Sequence, residues 1–455
     1  MNAIEERLLY SSVGLLYTGG NLNQAVLKQG RRHEGGALAE FNIVKVPQLA
    51  WYGDTELDLE LPSRWDVTIC RMRGHSKLPL TRSEIEGAFR HPIGSPPIRE
   101  LARGKNEVVI IFDDLTRPTP VAEIVPHILD ELEAAGISDA HIRFIAALGA
   151  HRGLTRIDFA KKLGEVVVDR FPVYNHNPYE NCTFVGETSR GTSVSINSEV
   201  MSCDLKIGVG SIVPHAAASF GGGGKIILPG VASMDTIAAN HALAARARER
   251  GRSGSMTYGL GFEENELQLD IAEAAQMAGL DIKIDAIIND RREITALFVG
   301  EPLVTHLEGV KLAKESYATE PVADRDIVIA NAYSKATEPF HSSPLGARML
   351  TEAGGVLVII VNTPEGFISH YLGGSWGRGI GGRYWQRRSR LLSRIRKLIL
   401  VTEYPDRAQA DRIAPLDSIT WARTWPEALE HLDKDYPGEA QVAVIPDATI
   451  QYLPE

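Results

Sequence analysis

Cysteine is scarce in this chain: Cys70, Cys182 and Cys203 are the three among 455 residues. They fit neither a disulfide framework nor a CxxC metal site, so a reducing compartment is expected and thiol chemistry is not the lead. Long apolar runs are missing too. The strongest, such as Val356 to Val361, fall far short of the roughly 20 residues a membrane-spanning helix needs. The start, MNAIEERLLYSS, lacks the basic and apolar regions of a secretory leader, so a cytoplasmic protein without a membrane partner is expected. There is no excess of base: 48 Lys and Arg against 58 Asp and Glu leave a formal charge of -10, which argues against nucleic acid as a partner. Internal repeats and long low-complexity segments are absent. What the chain does have is 44% hydrophobic and 23% charged residues, enough for a sizeable core, in a length that suits two or three domains. It also has 42 glycines, four of them in the run Gly221 to Gly224 directly before Lys225.

Residues 1–40 are polar and Gly-interrupted and read as an N-terminal extension outside the core. Beyond Trp51, strand and helix patterns alternate. EVVIIF, from Glu107 to Phe112, is a continuous apolar run suited to a strand buried on both faces. VAEIVPHILDELEAAG follows at helical spacing, closed by Gly136, and HIRFIAALG is a second buried strand. This β-α-β unit predicts a parallel sheet with a right-handed crossover. A second alternation begins near Asp326: DIVIANAY, VLVIIV, LILVTEYP and QVAVIP read as strands, with helices from about Pro344 to Ala353 and over WPEALEHL. The expected fold class is α/β, with two α/β domains of parallel or mixed sheets and the active site in the cleft between them. The first, 41–316, holds the cofactor and catalytic groups, and the second is 317–455. From Gly366 to Thr402 no acidic residue occurs, while Arg378, Arg383, Arg387, Arg388, Arg390, Arg394, Arg396 and Lys397 do. That stretch reads as a solvated helix face or subunit contact, or as an anion site.

In such sheets, ligands bind just past the carboxyl ends of the strands. Asp113-Asp114-Leu115-Thr116-Arg117 follows the first strand, His151-Arg152 the second, and DLKIGVGSIVPH delivers His215 after a third. The glycine run ending in Lys225 invites comparison with a phosphate loop, but Ser219 stands where that motif needs Gly and Ile226 where it needs Ser or Thr. The glycines permit positive φ and let backbone approach a ligand, so Lys225 sits on a close-approach loop. Taken alone, Lys225 is either a surface lysine or a covalent anchor whose amine loses basicity on desolvation. His241 lies further on, in a helix capped by Ser233 or Asp235, and alone is either a structural histidine or a ligand.

Four motifs in this order resemble the lactate racemase family, whose members carry a nickel-pincer nucleotide. DDLTRPTP (113–120) is similar to the family's D-x-T-R-P-x-P signature, and ALGAHRGLT to its strand-end histidine motif. PHAAASFGGGGK is similar to P-H-x-x-A-G-F-S-G-G-x-K, with the His-to-Lys spacing kept, and His241 stands where the nickel-ligating histidine is expected. The resemblance runs from about Trp51 onward. It implies a nickel-pincer nucleotide joined to Lys225 by a thioamide linkage and ligated by His241, with Asp114, Thr116, Gly222, Gly223 and Gly224 around it. Cofactor-assembly enzymes would be partners. It implies His151 and His215 as paired acid/bases with pKa values near the working pH, and Arg117 as the group that binds the substrate carboxylate.

The implied reaction is racemisation or epimerisation of a 2-hydroxy acid. Hydride leaves Cα for the cofactor while a base takes the hydroxyl proton, and the planar 2-keto acid accepts hydride on its other face. The chain departs from the family pattern in two places. Ala218-Ser219 and Phe220-Gly221 replace A-G and F-S, small-for-small changes expected to disturb little. In the second domain, G-Y-P-x-D-x-x-x-Y-Q-x-x-K reads Ala332 to Pro344, which puts His341 at the Gln and Pro344 at the Lys. Lys335 is then the candidate replacement cation, and Tyr333, Lys335 and His341 are candidate substrate contacts beside Ser342 and Ser343. A substrate larger or more polar than lactate is expected, a sugar acid or a dicarboxylate. Two alternatives stay open: a nickel-free nucleotide-binding oxidoreductase, although a GxGxxG turn after a strand is absent, and a non-catalytic ligand-binding homologue. The oligomeric state is left open.

Overall fold

The strand Val108–Asp113 buries all six side chains and feeds two cores at once. Val108, Ile110 and Phe112 join Val121, Ile124 and Ile128 of the helix Val121–Ala134 on one face, while Val109 and Ile111 meet Ile226 and Leu228 on the other. Each fully buried Val or Ile of this kind contributes about 1.5–3 kcal/mol. These positions belong to a computed structural model that describes residues 28–34, 37–249, 264–372 and 390–454.

Two six-stranded sheets organise the chain. The first runs Ile294–Gly300, Ile282–Ile288, Leu205–Ser211, Val108–Asp113, Ile142–Ala147, Val173–Asn175, and is parallel except for its antiparallel edge strand Ile294–Gly300. The second runs Ile419–Ala422, Ile395–Val401, Gly355–Ile360, Ile327–Asn331, Ala440–Ile445, Trp65–Ile69, and is parallel throughout. The expected α/β class with parallel and mixed sheets is therefore the observed one. In the first sheet the chain order reverses across Val108–Asp113, which lies between Ile142–Ala147 and Leu205–Ser211. In the second it reverses between Ile327–Asn331 and Ala440–Ile445. Both are topological switch points, where strand-end loops diverge and leave a crevice.

Three expectations need correction. Trp65–Ile69 pairs with Ala440–Ile445, so a boundary at 316/317 does not separate the strands of the two sheets. Part of the expected extension is strand: Lys28–Glu34, Ala37–Gln48 and Thr55–Pro62 form an antiparallel sheet, whose Val44, Val46, Leu59 and Leu61 pack against Ile327, Val356 and Ile399. Residues 1–27 lie outside the described residues. The basic stretch is no helix face where it is described, because Ile395–Val401 is a strand on which Arg396 donates to the Tyr436 hydroxyl (3.0 Å) and Lys397 pairs with Asp435 (2.7 Å). Arg378, Arg383, Arg387 and Arg388 fall outside the described residues.

A second corner of the core joins the two sheets: Met72, Ile212, Phe220 and Ile287 pack with Tyr317, Ile450 and Tyr452. Among the described residues no helix is long and apolar enough to cross a membrane. The three cysteines are free, and burial raises each thiol's pKa, which keeps it from being a thiolate nucleophile.

One buried cation fixes the loop after Val108–Asp113. Lys162, on the helix Arg156–Leu163, is fully buried, and its ammonium donates to Asp114 O (3.0 Å) and Arg117 O (2.8 Å) and pairs with Asp113 Oδ1 (2.7 Å). Two backbone carbonyls thus accept from the ammonium, and the Asp113 carboxylate faces it as an ion pair. Lys162→Met leaves the Asp113 carboxylate buried without its cation and is expected to cost about 3–5 kcal/mol in urea unfolding. A loss below about 1 kcal/mol would show that the loop holds without it.

Candidate active site

The loop held by Lys162 presents Asp114, Thr116 and Arg117 to a pocket at the first switch point. Asp114 is buried and accepts from Thr116 N (3.0 Å) and the Thr116 hydroxyl, while its other oxygen accepts from His151 Nδ1 (2.7 Å). Burial alone would raise the Asp114 pKa, but His151 and Arg117 hold it below the usual range, so it is a carboxylate. A carboxylate only accepts, so Nδ1 of His151 carries the hydrogen and Nε2 is left as the basic nitrogen. His151 follows Ile142–Ala147, on a loop anchored by Gly149 N to Gly230 O (2.8 Å).

His215 is fixed the opposite way. It sits on the short strand pair Pro214–His215 and Ser219–Phe220, and its Nδ1 accepts from Ala217 N (3.2 Å) and Ala218 N (3.1 Å). In the neutral ring the hydrogen is therefore on Nε2. Burial and then Lys225, Arg117 and Lys335 push its pKa well below the ordinary histidine value, so the expectation of a pKa near the working pH does not hold for this ring.

The glycine run turns tightly after this hairpin. Gly223 has φ +55°, and a Cβ there would meet the His306 ring at 2.6 Å, while its N–H donates to the buried Asp285 carboxylate (2.7 Å). Gly222 lines the pocket, but Gly223 and Gly224 are not among its lining residues and instead seat the loop on His306 and Ala275. Ser219, at the position where the family motif has Gly, has φ 61°. That left-handed conformation disfavours a side chain by about 1–2 kcal/mol, so this small-for-small change is not neutral. Lys225 lies in the turn Gly223–Ile226 and faces the pocket. Burial, with Arg117 and Lys335 nearby, lowers its pKa to about 7 against the opposing pull of Glu338.

His241 also lines the pocket, from the helix Met234–Glu249. Ser233 caps that helix, accepting from Thr236 N (3.3 Å). Burial and Lys225 lower the His241 pKa to about 4, so the ring is neutral at neutral pH.

The second sheet closes the pocket with two residues that motif reading missed, Glu338 and His370. Glu338 lies in the loop after Ile327–Asn331, at the second switch point, where Asp447 accepts from Ser334 N (3.0 Å). It accepts from Arg117 (2.7 Å) and stands 3.5 Å from Lys335 Nζ and 3.8 Å from His341 Nε2. Burial opposes ionisation, yet Arg117 and Lys335 hold its carboxyl well below the usual range. His370 packs edge-on to the His151 ring, with centroids 5.3 Å apart. Lys335 and His341 face Glu338, His341 also lying 6.3 Å from the His215 ring, and neither is among the lining residues, nor is Tyr333, whose hydroxyl donates to Asp54 (2.7 Å). Burial lowers the Lys335 pKa to about 8. The Ser342 and Ser343 hydroxyls are buried without a hydrogen-bond partner among the described residues. A carboxylate two residues before a Phe-His pair gives no periodic or motif signal, and only the topology brings it to Arg117.

Fold and pocket define an α/β protein whose two sheets bring switch-point loops to one polar crevice rich in histidine. Residues 52–254 match the lactate racemase N-terminal domain family. The chain is 32% identical over 323 residues to a lactate racemase of Thermoanaerobacterium thermosaccharolyticum, spanning 69% of this chain and 74% of that protein. To a lactate racemase of Lactiplantibacillus plantarum it is 31% identical over 298 residues, spanning 64% of this chain and 68% of the relative. The chain belongs to the lactate racemase family. The structure of the T. thermosaccharolyticum lactate racemase apoprotein superposes with a TM-score of 0.68 at 25% identity, covering 91% of this chain and 100% of that one. A Thermotoga maritima crystal structure shares the fold, with a TM-score of 0.61 at 16% identity over 83% of this chain and 99% of its own. Family membership supports isomerase chemistry of the racemase type.

Proposed function

We propose that this chain inverts the C2 centre of a 2-hydroxy acid, as a racemase or epimerase, using a nickel-pincer nucleotide joined to Lys225 and ligated by His241. The observation that carries this reading is convergence: Lys225, His241, His151, His215 and Arg117, from separate segments, line one pocket. The residues suit the group. The Lys225 amine, lowered to about 7, has a substantial neutral, nucleophilic fraction at neutral pH, and His241, lowered to about 4, is in the ligating form. Lys225 would hold the group and His241 would supply this chain's ligand to its nickel. When bound, the group supplies the hydride acceptor and donor for C2.

The chain's own residues do the rest. Arg117, its NH1 engaged by Glu338 and Thr116, offers its remaining nitrogens to the substrate carboxylate. His151 takes the hydroxyl proton at Nε2, and Asp114 stabilises the resulting imidazolium. His215 presents its Nε2 hydrogen to the keto oxygen as a hydrogen-bond donor from its own side of the pocket, and the proton held on His151 returns to that oxygen when C2 is reduced. The cleft between the two sheets shields these steps from water, with the loops of the first sheet holding the cofactor and those of the second selecting the substrate. The substrate is a larger or more polar acid than lactate, a sugar acid or a dicarboxylate, and loading requires the cofactor-assembly enzymes in a reducing, cytoplasmic setting.

Protein produced with those enzymes is expected to show a covalent adduct by intact mass, equimolar nickel, and inversion of a single enantiomer of a 2-hydroxy acid by chiral chromatography. A loaded, nickel-bearing protein that inverts no member of a broad 2-hydroxy acid panel would overturn the reading.

A further inference from the structure

The two oxygens of Glu338 have different surroundings. Oε2 takes the cations: Arg117 at 2.7 Å, Lys335 at 3.5 Å and His341 at 3.8 Å. Oε1 has no hydrogen bond among the described residues and stands 4.0 Å from His151 Nε2. One oxygen therefore fastens the loop, and the other is an ionised acceptor without a donor, beside the nitrogen that receives the C2 hydroxyl proton. A hydroxyl on C2 at His151 and another on C3 at Oε1 span that gap with two ordinary hydrogen bonds.

We propose that the substrate is a monocarboxylate with hydroxyls on both C2 and C3, and that Glu338 selects it by accepting from the C3 hydroxyl. This rests on the racemase reading above and decides between its two substrate classes in favour of the sugar acid. Lactate places a methyl group at Oε1 and leaves that acceptor without a donor from the substrate. Sites built to bond a hydroxyl reject analogues lacking it far more strongly than they reject a difference of one methylene. A dicarboxylate places like charge against Glu338.

Lactate, glycerate and malate differ only in what C3 bears: hydrogen, hydroxyl or carboxylate. Loaded holoenzyme is expected to invert glycerate, or a longer polyhydroxy acid, with kcat/KM about a hundredfold above lactate and malate. Glu338→Gln keeps an acceptor but drops the charge, so it should retain the preference over lactate while malate gains about tenfold relative to glycerate. Glu338→Ala should erase the preference for glycerate over lactate, with the adduct mass showing that each variant is folded and loaded. Inversion of lactate or malate by wild-type protein at a rate equal to glycerate sinks this inference and leaves the racemase reading standing. Inversion of no 2-hydroxy acid at all sinks both.

Discussion

Lys225→Ala and Lys225→Arg proteins made alongside the cofactor-assembly enzymes will show only the unmodified mass, and inversion will fall below detection, by more than about 10⁴-fold. The size of the effect follows from what the residue supplies, an attachment point for which the pocket has no substitute. The other lining lysine, Lys283, is spent on Asp285 at 2.6 Å. The Arg variant separates charge from bonding: guanidinium preserves the positive charge but has no nucleophilic amine. Burial, Arg117 and Lys335 bring the Lys225 pKa to about 7, so the amine is mostly protonated at pH 6 and mostly neutral at pH 8. Attachment of the nucleotide should therefore be about tenfold faster at pH 8 than at pH 6. An adduct on either variant, or attachment faster at pH 6, would remove Lys225 from this role.

The parts of this site that were legible in the sequence are those where backbone and chemistry share one short segment. Val108–Asp113 and Leu205–Ser211 bury every side chain and Ile142–Ala147 most of its own, and the apolar residues of EVVIIF, HIRFIAALG and DLKIGVG announced them. Asp114, Arg117, His151 and His215 follow those strands directly, and strand ends are where such sheets bind ligands. Long-range pairing is what local pattern does not carry. Nothing in WDVTI says that Trp65–Ile69 crosses to the second sheet, because a strand reads the same whichever neighbour it bonds. Glu338 and His370 were hidden for the same reason: each lies on a loop whose meaning depends on a partner 221 or 219 positions away in the chain, Arg117 or His151. Tyr333, aligned by motif without gaps, has its hydroxyl on Asp54 instead, and the Arg292 guanidinium lies 5.6 Å from its ring centroid.

His151→Asn will lower inversion by about 10²–10⁴-fold, while His215→Asn will lower it only about 10-fold, with nickel retained in both. Equivalent acid/bases would give equal losses. The difference comes from which ring nitrogen is already engaged. Asp114 takes the Nδ1 hydrogen of His151, leaving a lone pair at Nε2 and a carboxylate to stabilise the cation formed there. Asparagine has no lone pair of comparable basicity. At His215 the Ala217 and Ala218 amides occupy the Nδ1 lone pair, so a proton cannot be added there without breaking both bonds. Lys225, Arg117 and Lys335 oppose the imidazolium as well. Attachment through Nζ would remove the Lys225 charge, but the two amides and the other cations remain, so His215 stays a donor. An asparagine NH₂ can still donate to the keto oxygen, which is why its loss is the smaller one. Comparable losses for the two variants would return His215 to the role of a true base and would require the 214–220 hairpin to rearrange when the cofactor is bound.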